Sequence, residues 1–185
     1  MEYIESYKNV YKGKTCAIIG GGTSCPYDVY DLPEVDVIIG VNQHGAILKP
    51  EFTVFTDTHL WRDIRDYKTK FICKESSIQS NTNLEDRTII LCRETPKHRY
   101  SGTTAIKVAD LMGFDKIYVC GIDQYDSSSE ENQRYWWWET TQMASKRAKD
   151  RRDHNTPQDL RKFVSMLKNP QNIYFMSGRM KELHQ

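Results

Sequence analysis

The sequence predicts an α/β protein built on a mostly parallel sheet. Short apolar runs recur along the chain, and segments with helix or turn character separate them. One of these runs, Cys16 to Ile19, leads directly into three glycines. An apolar run without polar alternation is typical of a strand that is buried on both faces. Strands that alternate with helices indicate parallel βαβ units, with helices covering both faces of the sheet.

Length and composition indicate one soluble domain spanning residues 1–185. A chain of 185 residues is long enough to bury a proper core. The net charge of +1 provides no global basic field, which argues against a nucleic-acid partner. Amino-terminal signal character is absent, and no apolar run approaches the roughly 18 residues of a membrane span. The 5 cysteines contain no Cys-x-x-Cys pair, so the sequence predicts a cytoplasmic protein without a zinc site.

Seven apolar runs are predicted as strands of a Rossmann-like sheet. They are Ala17–Ile19, Val35–Val41, Thr53–Phe55, Phe71–Cys73, Thr88–Cys92, Lys116–Cys120 and Asn172–Phe175. The clearest helix is Thr103–Met112, which has helical apolar spacing, Gly113 as a stop and Ser101 as a cap. A second helix is predicted to open at Asn155-Thr156-Pro157 and to run to about Lys168.

The residues after the first predicted strand are candidates for binding phosphate. In an open parallel sheet, ligands bind beyond the carboxyl ends of the strands. The loop there contains Gly20, Gly21, Gly22, Thr23 and Ser24. Its backbone N–H groups and two hydroxyls suit a phosphate group. The spacing does not match Gly-x-Gly-x-x-Gly, and the loop lacks the lysine of a P-loop, so a plain tight turn is the alternative.

Polar residues also follow later strands. Asn42 and Gln43 follow the second run, where adjacent amides could read a nucleobase or ribose edge or could cap a helix. Asp57 follows the third run and is best interpreted as a helix cap, with a metal ligand or ribose acceptor as alternatives. His154 precedes a predicted helix start, where the helix dipole disfavours imidazolium and leaves a neutral base. The alternative for His154 is a surface histidine.

Two further features keep other interpretations open. Trp136–Trp138 cannot all face one core, so at least one indole is expected to cover a neighbouring element, a partner subunit in a homo-oligomer, or a sugar. The basic run Lys146–Arg152 is best interpreted as a solvated helix face, and a contact for an anionic substrate is the alternative. Together with the tryptophans it also leaves a nucleic-acid transferase as a minor alternative.

Several of these segments resemble the bacterial sialyltransferases of glycosyltransferase family 42 and related sugar-transferase-like proteins. The resemblance is strongest from Ser101-Gly102 through Gly121-Ile122-Asp123-Gln124-Tyr125. It extends to the glycine loop at Gly20–Ser24, to Asn42-Gln43, and to His154 ahead of Asp159-Leu160. Order and approximate spacing agree over residues 15–178. The family's asparagine within the first loop is replaced by Gly21, and its later asparagine by Asp57.

The resemblance implies metal-independent, inverting transfer of a sugar from a nucleotide donor, usually CMP-sialic acid, to a hydroxyl acceptor. In that family pattern, His154 would be the general base, and Tyr125 and Tyr135 would contact the donor phosphate and stabilise the leaving group. The glycine loop, Asn42 and Gln43 would hold the nucleotide. Ser101 would contact the sugar, and Arg99 or His98 would supply positive charge. A nucleotide-binding module that has lost catalysis is the alternative.

Overall fold

A computed structural model describes residues 2–57, 60–75, 89–92, 101–122 and 157–184, and within them it forms one sheet of 8 parallel strands. The strands are β1 (Glu2–Tyr3), β2 (Thr15–Ile19), β3 (Val37–Val41), β4 (Phe52–Phe55), β5 (Lys70–Lys74), β6 (Ile89–Cys92), β7 (Lys116–Cys120) and β8 (Ile173–Phe175). Their order across the sheet is β1-β6-β5-β4-β3-β2-β7-β8. The predicted α/β, Rossmann-like fold is therefore confirmed.

The strand order places a topological switch point between β2 and β7. From β2, the chain adds β3, β4, β5 and β6 outward on one side, and then returns to place β7 and β8 on the other side. In open α/β sheets the ligand crevice lies outside the carboxyl ends of the strands at such a point. The glycine loop follows β2, so the fold itself places this loop at the expected position for a ligand.

Helices cover both faces of the sheet, as predicted. They are α1 (Cys25–Tyr30), α2 (Trp61–Ile64), α3 (Ser101–Met112), α4 (Pro157–Ser165) and α5 (Gly178–His184). Helix α3 packs its buried side chains against the face that carries Ile18, Ile39 and Val54. Helix α1 covers the opposite face, where Ala17 and Ile19 point. Alternate residues of each central strand are thus buried on opposite sides.

The helix predictions hold in part. Gly113 ends α3 with φ +84°, the left-handed conformation that a carboxyl-terminal glycine provides. Ser101, however, is the first residue of α3 and does not precede it as a cap, since the helix begins two residues earlier than predicted. The Ser101 hydroxyl contacts Thr56, directly after β4. Helix α4 ends at Ser165, earlier than predicted. The carboxylate of Asp110 on α3 accepts hydrogen bonds from the backbone N–H groups of Lys168 and Asn169 at 2.9 Å. These bonds stabilise the turn that follows α4.

The cysteines behave as buried hydrophobic residues. Cys16, Cys92 and Cys120 lie within strands, and all five cysteines are buried and form no disulfide bond. Burial raises the pKa of the Cys73 thiol to about 12, so it carries no thiolate at neutral pH. In the described ranges, no helix is long and apolar enough to cross a membrane.

Candidate functional site

The glycine loop after β2 is bound to the loop after β7. Gly20 N–H donates to the carbonyl oxygen of Cys120 and Gly22 N–H donates to that of Gly121, both at 2.8 Å. These two donors are therefore not available to a phosphate. The Ser24 hydroxyl is also engaged, because it donates to Oδ2 of Asp28 at 2.8 Å. Within the predicted phosphate site, the hydrogen-bond donors that could still bind a phosphate are those of Gly21 and Thr23.

Glycine is required where the two loops cross. A Cβ added to Gly20 would collide with the carbonyl oxygen of Gly121 and would lie 2.9 Å from its carbonyl carbon. Gly121 itself has φ +62°, and a Cβ there would lie 2.7 Å from Cβ of Cys25. Both conflicts involve backbone or a buried side chain, so neither can be relieved cheaply. The close approach of Gly20 and Gly121 therefore fixes the two loops against each other at the topological switch point.

Asp28 stabilises the contact between the glycine loop and the loop after β7. It lies on α1, is 4% exposed, and its Oδ2 accepts the buried Gly121 N–H at 2.8 Å as well as the Ser24 hydroxyl. A carboxylate that accepts buried donors forms strong, charge-assisted hydrogen bonds. One side chain thus joins the glycine loop, α1 and the loop after β7.

We expect Asp28→Ala to lower the free energy of unfolding by about 2 to 3 kcal/mol, because it leaves a buried N–H and a hydroxyl without their acceptor. Asp28→Asn retains an acceptor oxygen and should lose about half as much. Urea denaturation measures both. Asp31→Ala, an exposed acid at the end of the same helix, is the matched control. Equal stability of Asp28→Ala and Asp31→Ala would contradict the assigned role.

The turn after β3 presents two amide oxygens without partners. Asn42 Oδ1 and Gln43 Oε1 are both buried, and neither has a hydrogen-bond partner in the described part of the chain. Asn42 adopts φ 57°, a left-handed conformation that asparagine tolerates, and its N–H donates to Val54 at 2.9 Å. The following 3-10 helix, Ala46–Leu48, is preceded by Gly45 and has no side-chain cap. The capping interpretation of Asn42 and Gln43 is therefore wrong.

Unpaired buried amide oxygens favour a ligand that donates hydrogen bonds. Leaving such an acceptor unsatisfied costs about 1 to 3 kcal/mol. Trp61, Thr104 and Ser177 also carry a buried side-chain atom without a partner among the described residues, each on a different segment. Asn42 and Gln43 differ because they are adjacent and lie at the carboxyl end of a central strand. Amino and hydroxyl groups of a nucleoside are suitable donors for them.

His44 completes this turn and reaches across to the glycine loop. The side chain is 5% exposed, and burial lowers its pKa to about 4, so the imidazole is neutral at pH 7. Its ring lies against Gly21. A Cβ added at Gly21 would overlap Cε1 and Nε2 of the ring and would lie 2.6 Å from Nδ1. The loops after β2 and β3 therefore meet at the Gly21–His44 contact.

A contact between Ser101 and Thr56 lies at the carboxyl end of β4, the strand next to β3. The Thr56 N–H donates to Ser101 Oγ at 3.2 Å, and the two hydroxyl oxygens are 2.9 Å apart. This contact ties the start of α3 to the carboxyl end of β4. Asp57 follows directly, and its carbonyl oxygen accepts Leu60 N–H at 3.1 Å. Helix α2 begins at Trp61, after Leu60, without a side-chain cap. The predicted cap by Asp57 concerns a helix from Thr58 onward, and because residues 58–59 lie outside the described residues it stays a prediction.

The structure brings together only part of the predicted site. Gly20–Ser24, Asn42, Gln43, Asp57 and Ser101 all lie at the carboxyl edge of neighbouring strands. Four predicted residues, Arg99, Tyr125, Tyr135 and His154, lie outside the described residues. His98, the tryptophan run Trp136–Trp138 and the basic run Lys146–Arg152 also lie outside them. Among the residues that the structure describes, no three His, Cys, Asp or Glu side chains are grouped to hold a metal ion.

Asp28 and His44 are site residues that sequence reasoning did not select. Asp28 is one acid within a short helix, and its partner Gly121 is 93 positions away in the chain. His44 follows the Asn-Gln pair directly, but a single histidine after a strand has no specific pattern. Both residues belong to the candidate site only because the loops after β2, β3 and β7 pack against one another.

The chain is similar in structure to a known protein, although no sequence family matches it. Neither protein-family models nor curated proteins match the chain. Among solved structures, the chain is similar to the sialyltransferase CstII from Campylobacter jejuni in complex with the substrate analogue CMP-3FNeuAc. The likeness covers 88% of this chain and 80% of that chain, with 15% identity and a TM-score of 0.48.

Proposed function

We propose that the protein is a metal-independent, inverting glycosyltransferase that moves a sugar from a nucleotide donor to a hydroxyl acceptor. The observation that carries the proposal is the adjacent pair of buried, unpartnered oxygens on Asn42 and Gln43. They lie beside the glycine loop, at the edge where an open sheet of this order binds ligands. A nucleoside offers hydrogen-bond donors to such a pair, and its phosphate would face the loop.

The chemistry assigns complementary tasks to the remaining predicted residues. Transfer to a hydroxyl needs a base that removes its proton, and His154 precedes the described helix α4, whose amino end disfavours imidazolium. The nucleotide that leaves carries developing negative charge on its phosphate. Tyr125 and Tyr135 would donate hydrogen bonds to that charge, and Arg99 would add a positive charge. Ser101 would contact the sugar. The donor is CMP-sialic acid or another nucleotide sugar.

The direct test incubates the protein with a panel of nucleotide sugars in the presence of EDTA and follows nucleotide release by chromatography. Release that depends on an added hydroxyl acceptor is the expected result, and it should persist in EDTA. Binding of a nucleotide without any release would favour the second candidate, a nucleotide-binding module without catalysis. The replacement of both family asparagines by Gly21 and Asp57 motivates that second candidate. Absence of both binding and release would contradict both.

A further inference from the structure

The contact between His44 and Gly21 suggests a role beyond core packing. The His44 N–H donates to Val41 at 3.0 Å, which closes a tight turn at the end of β3. Gly45 follows with φ +81°, and a Cβ there would lie 2.9 Å from Cβ of Ile19, the last residue of β2. The turn is therefore folded directly over the end of the neighbouring strand. It leaves the His44 ring little freedom to move away from Gly21.

The two loops that this contact joins are the two halves of the proposed nucleotide site. Asn42 and Gln43 stand immediately before His44, and Gly21 is the central glycine of the opposing loop. Because Gly21 has no side chain, the imidazole occupies the space that a side chain at that position would fill. The width of the ring therefore sets the separation between the loop and the amide pair.

We propose that His44 is a positioning residue whose imidazole, packed on Gly21, fixes the glycine loop relative to Asn42 and Gln43 and thereby determines nucleotide affinity. This inference rests on the proposed function, since it concerns the same site. Burial holds the ring neutral at pH 7, so it can pack against a backbone without bringing a buried charge. The proposal assigns His44 no contact with the reacting atoms.

A double-mutant cycle tests the contact. Gly21→Ala introduces the methyl that overlaps the ring, and His44→Ala vacates the ring volume. Each single variant should weaken nucleotide binding at least about tenfold, and the double variant should bind more tightly than the two losses combined would predict. The probe is whichever of CMP, UMP, AMP and GMP gives the largest thermal shift with the unmodified protein. His184→Ala, which loses a ring contact with Phe175 and lies on α5, is the matched control.

His44→Phe separates positioning from a direct ligand contact. It keeps a flat ring over Gly21 but has no ring nitrogen, so affinity should stay within about threefold of the unmodified protein. An equal loss of nucleotide affinity in His44→Phe and His44→Ala would overturn the proposal, because it would assign a binding role to the imidazole nitrogens of His44. Additive losses in the cycle, or unchanged affinity in both single variants, would overturn it as well.

The cycle also distinguishes this inference from the proposed function. If none of the four nucleotides shifts the melting temperature of the unmodified protein, the nucleotide site itself is contradicted and the role of His44 falls with it. If a nucleotide binds but the losses at Gly21 and His44 are additive, only the positioning role is contradicted. Each result therefore rejects a different statement.

Discussion

His154→Ala should reduce sugar transfer by about 10²- to 10⁴-fold, the range over which a positioned general base contributes to a rate. The reason is that, in the proposed transfer, the acceptor hydroxyl must lose its proton as it attacks, and an imidazole is a suitable base to accept it. The loss should fall on kcat, while KM for the nucleotide sugar should change little, since the base acts on the acceptor. Initial rates at saturating donor measure it.

His184→Ala provides the control for this prediction as well. His184 lies on the described helix α5 against Phe175 and has no place in the proposed chemistry. Its replacement should leave the rate within about threefold. A His154→Ala protein that retains full turnover while remaining folded would contradict the assignment of the base.

Gly20→Ala should cost about 3 kcal/mol of unfolding free energy or more, at the upper end of what forced overpacking costs. The new methyl would collide with the carbonyl oxygen of Gly121 and would lie 2.8 Å from Cγ1 of Ile122. Relief requires the loops after β2 and β7 to separate, which breaks the hydrogen bonds at Gly20 and Gly22. For a domain of this size the melting temperature should fall by roughly 6 to 12 °C.

Gly102→Ala is the matched control for that prediction. A Cβ at Gly102 would lie 3.1 Å from Cδ1 of Ile122, the end of a flexible side chain, and the residue belongs to helix α3. Alanine is the better helix former by about 1 kcal/mol, so this variant should be neutral or more stable. A similar loss of stability in both variants would contradict the specific role of the Gly20–Gly121 crossing.

Local pattern was enough to predict most of the sheet. The run Lys116–Cys120 is predicted and found with the same bounds, because a buried parallel strand needs an unbroken apolar stretch. The sequence does not predict strand β1, because Glu2 and Tyr3 are only two residues at the sheet edge and pair with β6. Ser101 is predicted to precede α3 but is its first residue, and the contact of its hydroxyl with Thr56, 45 positions away, is not visible in the local pattern.

The site was predictable where it depends on strand ends and not where it depends on packing between loops. A glycine loop and an Asn-Gln pair are visible because they follow apolar runs directly. That Gly20 and Gly22 donate to the loop after β7, and not to a ligand, depends on a pairing between β2 and β7 that no local pattern encodes. Asp28 and His44 acquire their roles from the same long-range packing.

The amide pair gives the most direct test of the nucleotide site. Asn42→Gly/Gln43→Ala removes both unpaired oxygens, and glycine suits the left-handed backbone at Asn42. Without ligand, the variant should be about as stable as the unmodified protein, because removal of unsatisfied buried groups offsets the lost packing. Asn9→Gly is the matched control, because Asn9 also has a left-handed backbone conformation and lies away from the site, at the carboxyl end of α3.

The decisive measurement is the thermal shift that nucleotides and nucleotide sugars produce in these three proteins. A ligand at about 100 times its Kd should stabilise the unmodified protein and Asn9→Gly by about 2.7 kcal/mol. The double variant should lose about 10- to 100-fold in affinity, equivalent to one or two hydrogen bonds. An equal shift in all three proteins, or none in the unmodified protein, would contradict a nucleotide site at Asn42 and Gln43.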